Sequence, residues 1–127
     1  PMMIDEYPIL SVAASVAKGE TSFEGIGELR VKESDRLTAI SEGLEACGIK
    51  TNSTKSSLRI FGKGSPPLGN GVVQSRLDHR IAMSFLTLGL ISDNPIEIDD
   101  ESSIKTSFPN FIKMMNSRGA QIRPAPK

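Results

Sequence analysis

The sequence predicts an α/β protein, and three observations carry that reading. Apolar residues at helical spacing alternate along the chain with short runs of strand-forming residues. Glycine stands where three of the four helical stripes give way to a strand, at Lys18-Gly19, Cys47-Gly48 and Arg118-Gly119. The order helix, strand, helix, strand occurs before the turn-rich stretch Gly62 to Gly71 and again after it, so two similar units, 1–62 and 71–123, are expected with a Gly/Pro-rich connection between them.

Ile9, Val12, Ala13 and Val16 form the first stripe, with Asp5 as its expected N-cap, Pro8 in the first turn and Gly19 as its expected C-cap. Thr21 to Phe23 reads as a short strand, and Gly25 and Gly27 as turn residues. Leu37, Ile40, Leu44 and Cys47 form the second stripe, stopped by Gly48. Ser34 is its expected N-cap and Asp35 follows in the first turn, where the helix dipole favours a negative charge. Strands are expected at Ile49 to Thr51 and Ser57 to Phe61, then at Val72-Val73 after the connection.

Asp78 next caps a helix whose apolar residues, Ile81, Ala82, Phe85, Leu86, Leu88 and Leu90, cover most of its circumference, so the helix is expected to be buried on most sides. Pro95 to Ile98 alternates as a strand, and Asp99-Asp100-Glu101 reads as a solvated acidic bend rather than a metal site. Thr106 or Ser107 is the expected cap of a last helix through Phe108, Phe111, Ile112 and Met115, ended by Gly119. Ala120 to Ile122 restarts a strand, and Pro124, Pro126 and Lys127 form a tail.

Composition narrows the function classes. A chain of 127 residues can bury roughly two-thirds of its unfolded surface in one core. Lys plus Arg equals Asp plus Glu at 15 each, and there are only five Phe, one Tyr and no Trp, so neither nucleic acid nor an acidic membrane is an expected partner. No apolar run is long enough to span a bilayer. The single Cys47 falls on an apolar face and reads as core, and no zinc spacing exists, so no metal is expected. No Gly-x-Gly-x-x-Gly or P-loop pattern occurs, so no nucleotide cofactor is expected either. Pro1 opens the chain without an initiator methionine, which points to a designed boundary or a cut inside a longer protein.

What remains is local charge. Four expected helix beginnings carry charged or hydroxyl residues: Asp5; Lys32 to Arg36; Asp78 to Arg80; and Lys105 to Ser107. Any one of them alone reads as an ordinary solvated cap. Together, with helices packed in parallel, they would point several N-termini at one place, an arrangement suited to a polyanionic ligand. Arg80 at the mouth of a buried helix needs an anionic partner, either a protein carboxylate or a ligand, and His79 beside it reads as a hydrogen-bonded positioning residue.

Arg30-Val31-Lys32-Glu33-Ser34-Asp35-Arg36-Leu37, Leu77-Asp78-His79-Arg80-Ile81-Ala82-Met83 and Thr106-Ser107-Phe108-Pro109 resemble, in order and spacing, the C-terminal part of the 5-enolpyruvylshikimate-3-phosphate synthase family, in the wording of its class II bacterial forms. The resemblance runs from about Ile4 to about Arg123. It implies a partial C-terminal lobe built of repeated βαβαββ units, with helix N-termini converging on the cleft of an enolpyruvyl transferase. It implies a cytoplasmic, monomeric parent transferase of the shikimate pathway that joins shikimate 3-phosphate to phosphoenolpyruvate without a cofactor. The partner of this chain is then the remaining N-terminal part of the same enzyme. By the same resemblance Asp5 accepts the proton of the substrate 5-hydroxyl, Lys32 touches shikimate 3-phosphate, Glu33 gives a proton to C3 of the enol, and Arg36 and Arg80 hold phosphoenolpyruvate. Two positions depart from the family pattern. Glu28 stands where some members have a substrate-binding asparagine, and Lys105 is one residue out of step with a phosphate-binding lysine of class I forms. The alternatives are a fragment of the related UDP-N-acetylglucosamine enolpyruvyl transferase and a non-catalytic anion-binding module.

Overall fold

Each apolar stripe becomes a helix, and each β-rich run between stripes becomes a strand or part of one. The computed structural model describes residues 4–125; Pro1, Pro126 and Lys127 lie outside them. A short 3-10 turn at Ile4–Glu6 leads into α1 (Tyr7–Val16), followed by β1 (Lys18–Phe23). A second 3-10 turn, Gly27–Val31, precedes α2 (Arg36–Ala46), which is followed by the hairpin of β2 (Lys50–Ser53) and β3 (Leu58–Lys63). Then come β4 (Val72–Val73), α3 (His79–Leu88), β5 (Glu97–Ile98), α4 (Ser102–Ser107) and α5 (Phe111–Ser117).

β3 lies at the centre of an antiparallel sheet of order β1-β3-β2, with Thr21 opposite Ile60 and Thr51 opposite Ile60 on the other side. β4 and β5 pair in parallel, as a strand–helix–strand connection through α3 requires. Leu58 and Ile60 point to the helices, while Lys18, Lys50, Arg59 and Lys63 face solvent, which is the alternation of a half-covered sheet. The main core joins Val12 of α1, Leu37, Ile40 and Leu44 of α2, Leu58 and Ile60 of β3, and Ile81, Phe85 and Leu88 of α3. It therefore draws on both sides of the Gly/Pro-rich connection. That connection is itself stitched down: Gly69 donates to the Cys47 carbonyl, Asn70 to that of Pro95, and Asp93 back to that of Pro67. Gly69 has φ +79°, and a Cβ there would strike the Asn94 carbonyl, so both the turn and the close approach demand glycine. Cys47 is fully buried, and desolvation pushes its thiol up to about 11, which makes it a core residue and not a nucleophile.

Several local expectations are corrected. Asp35, not Ser34, caps α2, its carboxylate accepting from Thr38 N at 3.0 Å. Asp5 makes no cap contact, because its carboxylate turns to Arg36 and α1 starts two residues later with no side-chain cap. Gly19 does not close α1. The helix ends at Val16, and Gly19 is already in β1 opposite Gly62. Thr106 and Ser107 end α4 instead of starting a helix, and α5 begins only after Phe108-Pro109-Asn110. Leu90 lies beyond α3 and is exposed. Ala120 to Ile122 is not a strand: Ile122 N donates to the Asn116 side chain, and no strand of the described residues offers it a ladder.

Gly43 shows how tightly α2 and α3 approach, since a Cβ at that position would enter the ring of Phe85. Alanine in an open helical position stabilises by about 1 kcal/mol over glycine. Here Gly43→Ala is expected instead to lower the unfolding free energy by about 1–3 kcal/mol, read by urea denaturation, because overpacking dominates. Adding Phe85→Leu to that variant should recover part of the loss.

Candidate active site

Three of the charged chain positions singled out above meet around one guanidinium. Arg36, the first residue of α2, is only 1% exposed although it is the largest side chain in the fully buried set. Its Nε donates to Asp78 Oδ2 at 2.7 Å, its Nη2 reaches Asp78 Oδ1 at 3.4 Å, and its Nη1 donates to Asp5 Oδ1 at 2.9 Å. Glu33 Oε1 lies 3.6 Å from Nη2, and Glu33 Oε2 lies 3.1 Å from His79 Nδ1. The start of α2 thus binds the segment ahead of α1 and the cap of α3, 31 and 42 residues away in sequence.

Local folding explains how each group arrives. Asp78 has its N–H tied to the Ser75 carbonyl, and its Oδ1 accepts from Arg80 N at 3.0 Å, so it caps α3 while its carboxylate faces Arg36. Ser34, freed from capping by Asp35, donates to Asp78 Oδ2 at 2.8 Å. Arg30 spends its guanidinium on the Lys55 and Thr54 carbonyls, Asp35 and Thr38, pinning the β2–β3 turn to the cap of α2 and fixing both ends of the loop that carries Lys32, Glu33 and Ser34.

The electrostatics follow from this packing. Burial pushes the Asp78 carboxyl up, but hydrogen bonds from Arg36 and Ser34 and the Arg36 charge outweigh it, so Asp78 lies below the usual carboxylate range. Asp5 is lowered chiefly by its hydrogen bond from Arg36, with help from the charges of Arg80 and Lys32. Those two cations are the least committed charges of the site. Among the described residues neither Lys32 nor Arg80 makes a side-chain hydrogen bond or salt bridge. Arg80 and Asp5 also line a groove of about 270 Å³ whose other lining residues include Ile9, Met83, Phe108 and Phe111.

Asp5, Glu33, Arg36 and Arg80 are therefore brought together, and the Lys32 charge is felt by Asp5. Lys105 is not drawn in, because it sits near the end of α4 and pairs with Glu101 at 2.9 Å. Asp78 and Ser34 are the site residues that sequence reasoning saw only as helix caps. The available signal was the need of a buried guanidinium for a carboxylate, which was applied to Arg80 and belonged to Arg36. Ligand atoms of Glu33, Asp78 and His79 lie within 4.8 Å of one another. A cation is still poorly served there, because Arg36, Ser34 and Arg80 N already occupy the four lone-pair directions of Asp78. Two uncommitted cations beside a neutralised, buried ion-pair network suit a small ligand with more than one negative group.

Comparison with known proteins gives the family. The family model described as EPSP synthase (3-phosphoshikimate 1-carboxyvinyltransferase) matches residues 1–115. The chain belongs to that family. A 3-phosphoshikimate 1-carboxyvinyltransferase of Paramagnetospirillum magneticum is 53% identical over 122 residues, and one of Brucella canis is 54% identical over 123. Each alignment covers 96% of this chain, which spans 27% of the length of these curated relatives. The solved EPSP synthase of Acinetobacter baumannii superposes with a TM-score of 0.92 at 41% identity, covering 99% of this chain and 29% of that one. The enolpyruvyl transferase NikO of Streptomyces tendae, at 22% identity and a TM-score of 0.71 over 96% of this chain and 27% of its own, shares the fold. No helix of the described residues is long and apolar enough to cross a membrane.

A pH dependence follows from the lowered carboxyls. A group whose pKa is lower folded than unfolded contributes stability that is complete above its unfolded value, about 3.9 for aspartate, and lost as pH falls through the folded value. Asp5, Asp35 and Asp78 are all of this kind. The Tm of the chain, followed by circular dichroism, should be flat above about pH 5 and fall below about pH 4. Asp78→Asn should lower the plateau and flatten the acid limb; an acid limb as steep as that of the unsubstituted chain would contradict the assignment.

Proposed function

We propose that this chain is the C-terminal portion of an enzyme that transfers the enolpyruvyl group of phosphoenolpyruvate to the 5-hydroxyl of shikimate 3-phosphate, in the cytoplasm. In this reading residues 1–62 and 71–123 are two partial βαβαββ units of one lobe, and the remaining N-terminal part of the enzyme supplies the opposite wall of the cleft. The observation that carries it is the contact of Asp5 with Arg36 at 2.9 Å, beside two cations, Lys32 and Arg80, whose side chains make no hydrogen bond or salt bridge among the described residues, in a chain of the EPSP synthase family.

The chemistry needs a base at the acceptor hydroxyl, an acid at C3 of the enol, and cations on the carboxylate and phosphates. Asp5, held ionised by Arg36, takes the hydroxyl proton as the oxygen attacks C2. Glu33 delivers a proton to C3, giving a tetrahedral intermediate. Phosphate then leaves as C3 returns its proton and the double bond re-forms. Lys32 contacts shikimate 3-phosphate, while Arg36 and Arg80 hold phosphoenolpyruvate. Arg36 has three of its five N–H groups committed to Asp78 and Asp5, so the ligand meets its free Nη hydrogens or takes the place of Asp5. Arg80, uncommitted, gives the fuller contact.

The 127-residue chain alone should release no phosphate from the two substrates, because the other half of the phosphate contacts lies outside it. Steady turnover by the isolated chain would contradict this. In the full-length enzyme Arg80→Ala should reduce kcat/KM for phosphoenolpyruvate by about 2 kcal/mol or more, through loss of charge-assisted hydrogen bonds. An unchanged kcat/KM would remove Arg80 from the site.

A further inference from the structure

Asp78 takes no part in the steps proposed above, yet it is the site's most enclosed titratable group, with no exposed surface. All four of its lone-pair directions are used, by three residues on two segments: Ser34 Oγ and Arg36 Nε on Oδ2, Arg80 N and Arg36 Nη2 on Oδ1. The backbone leading to it is strained. Arg76 and Leu77 both have φ +56°, a left-handed conformation that side chains bearing a Cβ rarely adopt, and here two occur in succession. Leu77 is 64% exposed, so core packing does not hold it there. The turn is clamped instead by polar contacts, Ser75 N and Oγ on Asp99 Oδ1 at 2.8 Å each and Asp78 N on the Ser75 carbonyl.

A strained turn that ends in a fully satisfied buried carboxylate is a poor way to gain stability, since a well-packed apolar pair would serve as well. It is an effective way to define position. We infer that Asp78 is the positioning residue for both phosphoenolpyruvate-binding arginines. It sets the guanidinium plane of Arg36 through the paired contact, and it places Arg80 by anchoring the first turn of α3. The identity of the ligand rests on the function proposed above; the geometry does not.

Asp78→Asn is the discriminating variant, because asparagine still caps α3 but cannot hold the Arg36 fork by charge. In the full-length enzyme it should raise the KM for phosphoenolpyruvate at least tenfold and leave that for shikimate 3-phosphate within twofold. A merely structural role would lower the Tm and the active fraction without splitting the two constants. In an Arg36→Lys background the same substitution should add no more than a twofold loss. A folded Asp78→Asn enzyme with unchanged KM for phosphoenolpyruvate overturns the inference. If that variant fails to fold, Asp78→Glu, which keeps the charge but moves it by one methylene, should raise the same KM, and an unchanged value overturns the inference equally. The 127-residue chain provides a readout independent of activity. The Nε–H resonance of Arg36 should be protected from solvent exchange in the unsubstituted chain and in Arg80→Ala, and lose protection in Asp78→Asn. A protected signal with an inactive full-length enzyme would leave the positioning role standing and remove the proposed reaction; an unprotected signal in the unsubstituted chain would remove the positioning role.

Discussion

The buried pair of Arg36 and Asp78 is the constraint from which the site follows. A guanidinium taken out of water must be matched by carboxylate charge and by hydrogen-bond acceptors in the plane of its fork, or the loss of hydration unfolds the region. Arg36 begins α2 and Asp78 caps α3, so meeting this demand fixes how the two helices lie, and Asp5 on the remaining Nη edge brings in the segment ahead of α1. Residues at or just ahead of three helix beginnings are thereby gathered around one guanidinium.

Around that pair the chain divides its cations by task. Arg30 is spent on the protein itself, on the β2–β3 turn and the cap of α2, while Arg36 gives three of its five N–H groups to Asp78 and Asp5. Lys32 and Arg80 are left uncommitted among the described residues. Side chains of the same type thus serve opposite ends, and only their partners distinguish them. Lys32 and Arg80 can keep their donors free at little cost in stability because both retain contact with water. The neighbouring groove is lined both by the charged Asp5 and Arg80 and by the apolar Ile9, Met83 and Phe111.

Helix positions were legible from periodicity because burying a stripe of Leu37, Ile40 and Leu44, or of Ile81, Phe85 and Leu88, is a strong and local instruction. Capping was less legible. Asp78 had no competing acceptor beside it and caps α3 as expected, whereas Ser34 and Asp35 are adjacent good caps. Their assignment was decided by a hydroxyl bond across 44 residues that no window of sequence contains. Asp5 lost its cap role for the same reason, since a buried guanidinium is a better partner than a helix N–H. Residues 120–122 have strand-like letters, but a strand exists only where a neighbouring edge accepts its hydrogen bonds, and the described residues supply none there.

By itself, the order of residues determined the alternation of helices and strands, the core stripes, and the short charged segments worth attention. These depend on spacing along a few turns and on the solvation of individual side chains. Tertiary structure decided which of those charges are consumed and which remain available to a ligand. That choice depends on which carboxylate comes within 3 Å of which guanidinium, and residues 31 to 44 positions apart come that close only when the helices have packed.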